Sequence, residues 1–277
     1  MAEQTSPVLQ VRDLKVTVKT EQGKLPLVHS IDFELMPGRV LGLVGESGSG
    51  KTVTSLALMQ MLDRKASEVE GSIRLNGREL NGRKEEDMRR VRGKEMALIM
   101  QNPMNAFSPV YSIGTQFIET IRTHTGLSKK QAAELACSAM TDVNLPYPSE
   151  LLRKYPFELS GGMLQRVMIA LSVCLNPSLI IADEPTTALD VTNQLQVLRL
   201  LDRVRQDYGT AILLISHDLG VIAEMADDVA VMQQGRIVEQ ADVFELFDHP
   251  KHAYTQTLLA ARPMLQISPE MTHCIWS

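Results

Sequence analysis

Eight residues restrict this chain more than any other segment: Gly45-Glu46-Ser47-Gly48-Ser49-Gly50-Lys51-Thr52. They match the pattern G-x-x-x-x-G-K-[ST] and follow Arg39-Val40-Leu41-Gly42-Leu43-Val44, an apolar run that reads as a buried strand. Helix formers continue directly after the glycines, from Thr52 to Leu62. A strand turning through glycines into a helix lets successive backbone N–H groups converge, and the positive end of the helix adds to them. That is a phosphate cradle. A flexible Gly/Ser linker would have neither the strand before it nor Lys-Thr at its last two positions. The motif therefore predicts a nucleotide triphosphate site: Lys51 reaches the β- and γ-phosphates, and the Thr52 hydroxyl reaches Mg²⁺.

The flanking patterns predict an α/β fold around this loop. Val8–Arg12, Leu14–Val18 and Ile31–Leu35 alternate as strands, with a turn at Glu21-Gln22-Gly23-Lys24. Gly71–Leu75 is another strand, ended by the turn dipeptide Asn76-Gly77. Glu95–Met100, Leu179–Asp183 and Ala211–Ile215 read as buried strands. From Phe107 to Asn176 the pattern turns helical, and Ser128-Lys129-Lys130-Gln131 has the capping-box form at a helix start. Gln194–Tyr208 carries an apolar stripe at Leu195, Leu198, Leu201 and Val204, and Val229–Gln240 reads as a hairpin around Gln234-Gly235. The expectation is one domain with a RecA-like P-loop core and an N-terminal antiparallel β subdomain in residues 8–106 and 177–248. An inserted helical subdomain occupies 107–176, and a short C-terminal extension 249–277.

Composition narrows the class. With 277 residues, 44% hydrophobic and 22% charged, the chain can bury one sizeable core. A net charge of −5 offers no footprint for nucleic acid. Three scattered cysteines make neither a disulfide framework nor a C-x-x-C knuckle, as expected of a reducing compartment. The N-terminus lacks the layout of a signal peptide. The longest apolar stretch, Met168–Leu175, falls well short of the ~20 residues of a membrane helix.

Two carboxylates follow the strand Leu179–Ala182. Asp183 is placed to hold a Mg²⁺-bound water, and Glu184 to polarise the attacking water. Gln101, after another strand, is a candidate for Mg²⁺ or water. His217, after Ala211–Ser216, is a candidate to position water or sense the product phosphate. A second glycine segment, Leu159-Ser160-Gly161-Gly162-Met163-Leu164-Gln165, precedes a helical stretch. It reads either as an anion site or as a glycine-bearing helix start without a ligand. If it is an anion site, it must serve another chain's γ-phosphate, since this chain has one P-loop.

Taken together and in order, Gly45–Thr52, Gln101, Leu159–Gln165, Leu179–Glu184, Ala188-Leu189-Asp190 and His217 resemble the ATP-binding subunits of ABC transporters. They match the Walker A, Q-loop, signature, Walker B, D-loop and switch-histidine positions over about residues 8–262. The resemblance implies ATP and Mg²⁺ as cofactors, with Thr52, Gln101 and Asp183 at the metal and Glu184, His217 and Lys51 in catalysis. It also implies a head-to-tail pair of ATP-binding subunits, most often two different ones. Ser160, Gly161, Gly162, Gln165 and Asp190 then act across the interface. Two transmembrane permease subunits would receive the work, an extracytoplasmic solute-binding protein would deliver cargo, and the chain would sit peripherally on the cytoplasmic face of the membrane.

Gln101-Asn102-Pro103-Met104, Tyr155–Met163, Asp183–Asp190 and His249-Pro250-Lys251-His252-Ala253-Tyr254-Thr255 are similar to the dipeptide, oligopeptide and nickel importer branch. Met163-Leu164-Gln165-Arg166 is similar to its nickel and metallophore-uptake members, because peptide members usually carry Arg at the Leu164 position. The expected cargo is nickel or a metal chelate. The alternatives are a di- or oligopeptide, or a non-transport ABC ATPase in a soluble enzyme complex. Phe107 or Tyr111 is expected to meet a permease helix. The family's adenine-stacking aromatic is replaced by Val18, which predicts weaker ATP binding by ~1–3 kcal/mol. A further alternative is a metal site from His249, His252, His273 and Cys274.

Overall fold

Strand residues that are apolar at every position must be covered on both faces, and this requirement explains the architecture. The computed structural model describes residues 6–187 and 191–261, the side chains of 191–193 excepted. In chain order, β1 (Leu9–Thr20), β2 (Gly23–Leu35), β3 (Val40–Val44), α1 (Lys51–Leu58), β4 (Ser67–Leu75), β5 (Arg78–Glu79), α2 (Glu85–Val91) and β6 (Met96–Ile99) come first. Four helices follow: α3 (Ile113–His124), α4 (Lys129–Asp142), α5 (Pro148–Leu151) and α6 (Gly161–Val173). The chain then returns to β7 (Leu179–Asp183), α7 (Val191–Tyr208), β8 (Ala211–Ser216), α8 (Leu219–Met225), β9 (Asp228–Gln233), β10 (Arg236–Asp242), α9 (Val243–Asp248) and α10 (Ala253–Ala260).

The central sheet has the order β10-β9-β3-β8-β7-β6, parallel except for the β9–β10 hairpin. Its residues alternate between two cores. Ile180, Ala182, Ile212 and Leu214 face the helical side, which runs without a break into Phe117, Ala136, Met140 and Met168 of the inserted helices. Leu179, Ile181, Leu213 and Ile215 face the other way, against α1 and the antiparallel sheet β2-β1-β4-β5. Each buried Leu, Ile, Met or Phe side chain among these stabilises the fold by about 1.5–3 kcal/mol before entropy is counted. Parallel register places the last residues of β3, β8 and β7 side by side at the carboxyl end of the sheet, where the loops after them meet.

The α/β core, the antiparallel subdomain and the helical insertion are as the sequence predicts. The capping box is present: Ser128 Oγ accepts from Gln131 N at 3.3 Å, and Gln131 Oε1 accepts from Ser128 N at 3.0 Å. One difference concerns the first strand, read from sequence as two pieces. It is a single strand with a bulge at Asp13, whose φ of 49° shifts the register between Arg12 and Lys15. Among the described residues no helix is long and apolar enough to cross a membrane.

Candidate functional site

β3 delivers the chain into the glycine loop under tight constraint. Gly45 has a φ of 154°, and a Cβ there would stand 2.1 Å from the Met232 carbonyl oxygen of β9. Only glycine fits. The loop closes with Gly50 as the cap of α1, whose first residue is Lys51. Ser49 is buried and Glu46 is exposed. Lys51 is itself buried and folds back over the loop, its Nζ donating to the carbonyls of Gly45 at 2.7 Å and Glu46 at 3.0 Å. Burial lowers the Lys51 ammonium from its usual value, and the carboxylates of Glu184 and Asp183 oppose that shift.

A cavity of about 570 Å³ opens over this loop. Ser47, Gly48, Gly50, Lys51 and Thr52 line it from the loop side, and Gln101, Glu184 and His217 line it from the ends of β6, β7 and β8. Four separate parts of the sequence motif set thus meet at the carboxyl end of the parallel strands.

Asp183 ends β7 and is buried. Ser55 Oγ donates to its Oδ2 at 3.4 Å, while Oδ1 is buried without a hydrogen-bond partner. Burial raises its carboxyl above the usual value, the Thr52 hydroxyl opposes this, and the nearby Glu184 adds to the rise. An unsatisfied buried carboxylate oxygen beside a threonine hydroxyl is a hard-oxygen environment, and it fits a magnesium ion or its water. Thr52, Gln101 and Asp183 are the residues that would hold it. When bound, Mg²⁺ neutralises charge on phosphate oxygens.

Glu184 sits in a left-handed conformation, φ 53°, its N–H donating to the Ile215 carbonyl at 2.9 Å. Its Oε2 accepts from Thr187 Oγ1 at 2.6 Å and lies 2.6 Å from His217 Nδ1. A carboxylate so fixed can take a proton from water at the cavity, and the imidazole beside it can hold that water in place.

The second glycine segment lies elsewhere: none of it lines the cavity. Ser160 is exposed and caps α6, its Oγ accepting from Met163 N at 3.3 Å. A Cβ added at exposed Gly161 would meet nothing within 4 Å, so the fold of this chain does not require a glycine there. Gly162 is half-buried in the first turn. Gln165 differs from its neighbours. It was expected to act across an interface, yet it is 2% exposed, and its Nε2 donates to the Pro185 carbonyl of its own chain at 2.8 Å. It braces the segment after Glu184 against α6. The reason is helical spacing: five residues beyond Ser160, the Gln165 side chain lies about 140° round the helix, on the core face. Asp190 lies outside the described residues.

Val18 is half-buried in β1, paired with Leu25 and Ser67, and does not line the cavity; Leu27 of β2 does. Of the histidine set, His252 uses its Nδ1 to accept from Tyr254 N at 3.2 Å, and His273 and Cys274 lie outside the described residues. Sequence reasoning missed Thr187, which buttresses Glu184, and Gly235 and Tyr254, which reach the loop. Gly235 N donates to the Ser49 carbonyl at 2.8 Å, and Tyr254 Oη accepts from Glu46 N at 3.1 Å. Tyr254 stood in a recognised motif, but no spacing rule could place it on a loop 208 residues away.

A profile of the ABC transporter family matches residues 28–187, which run from β2 past Glu184. A Brucella melitensis protein named as a peptide import ATP-binding protein is 44% identical over 271 residues, covering 96% of this chain and 80% of that protein. The chain belongs to the ABC transporter family. This ABC transporter ATPase is also similar to an oligopeptide transport ATP-binding protein of Bacillus subtilis, with 43% identity over 264 residues covering 95% and 74% of the two chains. Among solved structures, a dimeric ATP-binding cassette in a post-hydrolysis state bound to ADP and Pi matches with a TM-score of 0.75 at 19% identity. That match covers 85% of this ABC ATPase and 98% of that chain. A subunit of an ABC transporter complex from Clostridium perfringens gives a TM-score of 0.72 at 22% identity, over 88% and 91%. At such identities the structural likeness shows the fold.

Proposed function

We propose that this ABC transporter ATPase energises a membrane importer of di- or oligopeptides, with ATP and Mg²⁺ at the cavity over the glycine loop. The observation that carries the catalytic part is the convergence of Lys51, Thr52, Gln101, Glu184 and His217 on that one cavity, with Asp183 buried beside Ser55 of α1. Gly45 to Thr52 cradle the phosphates, Glu184 directs the attacking water, and His217 holds it. Peptide cargo is favoured over nickel by the names of the relatives, at 43–44% identity along almost the whole chain. The nickel expectation rests on Leu164, which is 1% exposed in the core of the inserted helices. A residue there answers to packing in α6 rather than to cargo.

Three kinds of partner complete the machine. A second ATP-binding subunit supplies Ser160, Gly161 and Gly162 or their counterparts to this chain's nucleotide, with Asp190 across the same interface. Two permease subunits dock on the helical insertion, and the solute-binding protein acts through them. The docking reading is supported by a groove of about 540 Å³ along α3, lined by Ser112, Thr115, Ile118 and Leu152. Beside it Val110 is 71% and Tyr111 57% exposed. Phe107, the other aromatic expected to meet the permease, is 5% exposed and belongs to the core. The chain would then be peripheral, on the cytoplasmic face of the membrane.

The test is transport. The chain is co-expressed with permease genes adjacent to its own and reconstituted with the solute-binding protein in vesicles. Expected is ATP-dependent accumulation of a labelled oligopeptide, abolished by Glu184→Gln. Accumulation of Ni²⁺ without peptide would overturn the cargo assignment, and a chain that never sediments with the permease would overturn the transport role.

A further inference from the structure

The phosphate loop is held from outside by the last quarter of the chain. In a trans peptide the C=O and N–H point to opposite sides. The peptide joining Gly45 to Glu46 is gripped at both: its carbonyl accepts from Lys51 Nζ at 2.7 Å, and its N–H donates to Tyr254 Oη at 3.1 Å. Turning that peptide would break both contacts and leave Lys51 with the weaker of its two carbonyl partners, that of Glu46. Glu46 N–H is thus directed away from the cavity side, toward α10.

The tyrosine is itself secured. Glu239 of β10 clamps the turn before α10 with both carboxylate oxygens, Oε1 accepting from Lys251 N at 2.7 Å and Oε2 from His252 N at 3.0 Å. The His252 ring then caps α10 by accepting from Tyr254 N at 3.2 Å. The Tyr254 ring packs, partly buried, on the helical-side core. The β9–β10 turn adds a second brace, Gly235 N to Ser49 O at 2.8 Å. Every part of the path from Glu239 to the loop is fixed by a hydrogen bond or by packing.

We propose that Tyr254 is a positioning residue for nucleotide binding: its hydroxyl, delivered by the Glu239 clamp, sets the orientation of the Gly45–Glu46 peptide on which Lys51 and the phosphates depend. The extension after β10 is then a working part of the nucleotide site rather than an appendage. This rests on ATP binding at the loop, which wild-type protein and a Lys51→Ala control report separately in the same assay.

The experiment is equilibrium titration of the full-length chain with MgATP, together with its thermal midpoint without nucleotide. Tyr254→Phe keeps the ring and removes the oxygen. Its MgATP affinity is expected to fall about fivefold, the value of one ordinary hydrogen bond, while the nucleotide-free midpoint falls by no more than a few degrees, the share of that one exposed bond. Glu239→Gln should weaken MgATP in the same direction by a smaller factor. The double variant should bind no more weakly than Tyr254→Phe alone, because the clamp acts through the hydroxyl. Wild-type affinity in Tyr254→Phe would overturn the proposal. So would full additivity of the two changes, or a nucleotide-free midpoint lowered by about 10 °C or more, which would mean general unfolding.

Discussion

His217 Nδ1 lies 2.6 Å from Glu184 Oε2, joining the residue after β8 to the residue after β7 across the mouth of the cavity. The contact makes Nδ1 the donor and leaves the other ring nitrogen for a different partner. Glu184 holds this position at a φ of 53°, a conformation that costs a non-glycine residue roughly 1–3 kcal/mol and persists where surrounding structure imposes it. The Ile215 carbonyl and the Thr187 hydroxyl impose it here.

Removing the base should separate chemistry from binding. Glu184→Gln keeps the shape and removes the proton acceptor, so ATP turnover should fall by about 10²-fold or more while MgATP affinity stays near wild type. His217→Ala should lower turnover with the same preserved affinity. Steady-state hydrolysis and nucleotide titration of both variants check this. Loss of binding in Glu184→Gln would mean the carboxylate is structural.

The unpartnered Asp183 Oδ1 predicts a metal dependence. Chelation by EDTA should stop hydrolysis, and added Mg²⁺ should restore it. Asp183→Asn should raise the Mg²⁺ concentration for half-maximal activity by about 10–100-fold, the usual effect of losing an outer contact of a metal. An unchanged Mg²⁺ titration in the variant would remove Asp183 from the site.

A change far from the motif should disable it. Gly235 has a φ of 76°, and a Cβ there would stand 2.5 Å from the Leu27 carbonyl. Gly235→Ala is therefore expected to destabilise the protein by about 1–3 kcal/mol through backbone strain. It should also weaken MgATP binding, since its amide braces Ser49. Denaturant unfolding and nucleotide titration measure the two effects.

The main architecture was legible because its signals are local. The apolar runs of β3, β7 and β8 and the Ser128 capping box are written in adjacent residues. The site was legible where a motif ties residue type to chemistry, as at Lys51, Asp183 and Glu184. Gln165 was misplaced because a motif does not say which face of α6 a residue takes, and that face is buried. Tyr254 and Gly235 were missed for a different reason. Their contacts to the loop span 208 residues for Tyr254, and only the packing of β9, β10 and α10 beside β3 brings them there.

Cys174, half-buried against the helical-side core, should behave as a slow-reacting thiol. Burial pushes its pKa up to about 12, from an ordinary 9.0. A raised folded value means the thiol favours the folded state below pH 9.0 and that this contribution is lost as pH climbs toward 12. Alkylation by iodoacetamide at pH 8 should therefore be slow in the native protein and fast after unfolding. Mass spectrometry of Cys174 peptides would check this, and rapid native labelling would contradict it.

The glycine at the start of α6 gives the sharpest test of partnership. Its own chain leaves the space beyond Gly161 open, so Gly161→Val should fold, melt and bind MgATP as a single chain much like wild type. In the assembled ATPase that space is proposed to receive the nucleotide held by the second subunit, and the valine side chain would stand where the γ-phosphate must approach. Turnover in the assembly should fall by about 10²-fold, as when one oxyanion donor is lost. Combining Gly161→Val with Lys51→Ala in the same chain should damage two different sites rather than one. The Lys51 defect would appear in single-chain binding and the Gly161 defect only after assembly. Normal turnover of Gly161→Val in the assembly would show that this helix start serves its own fold alone.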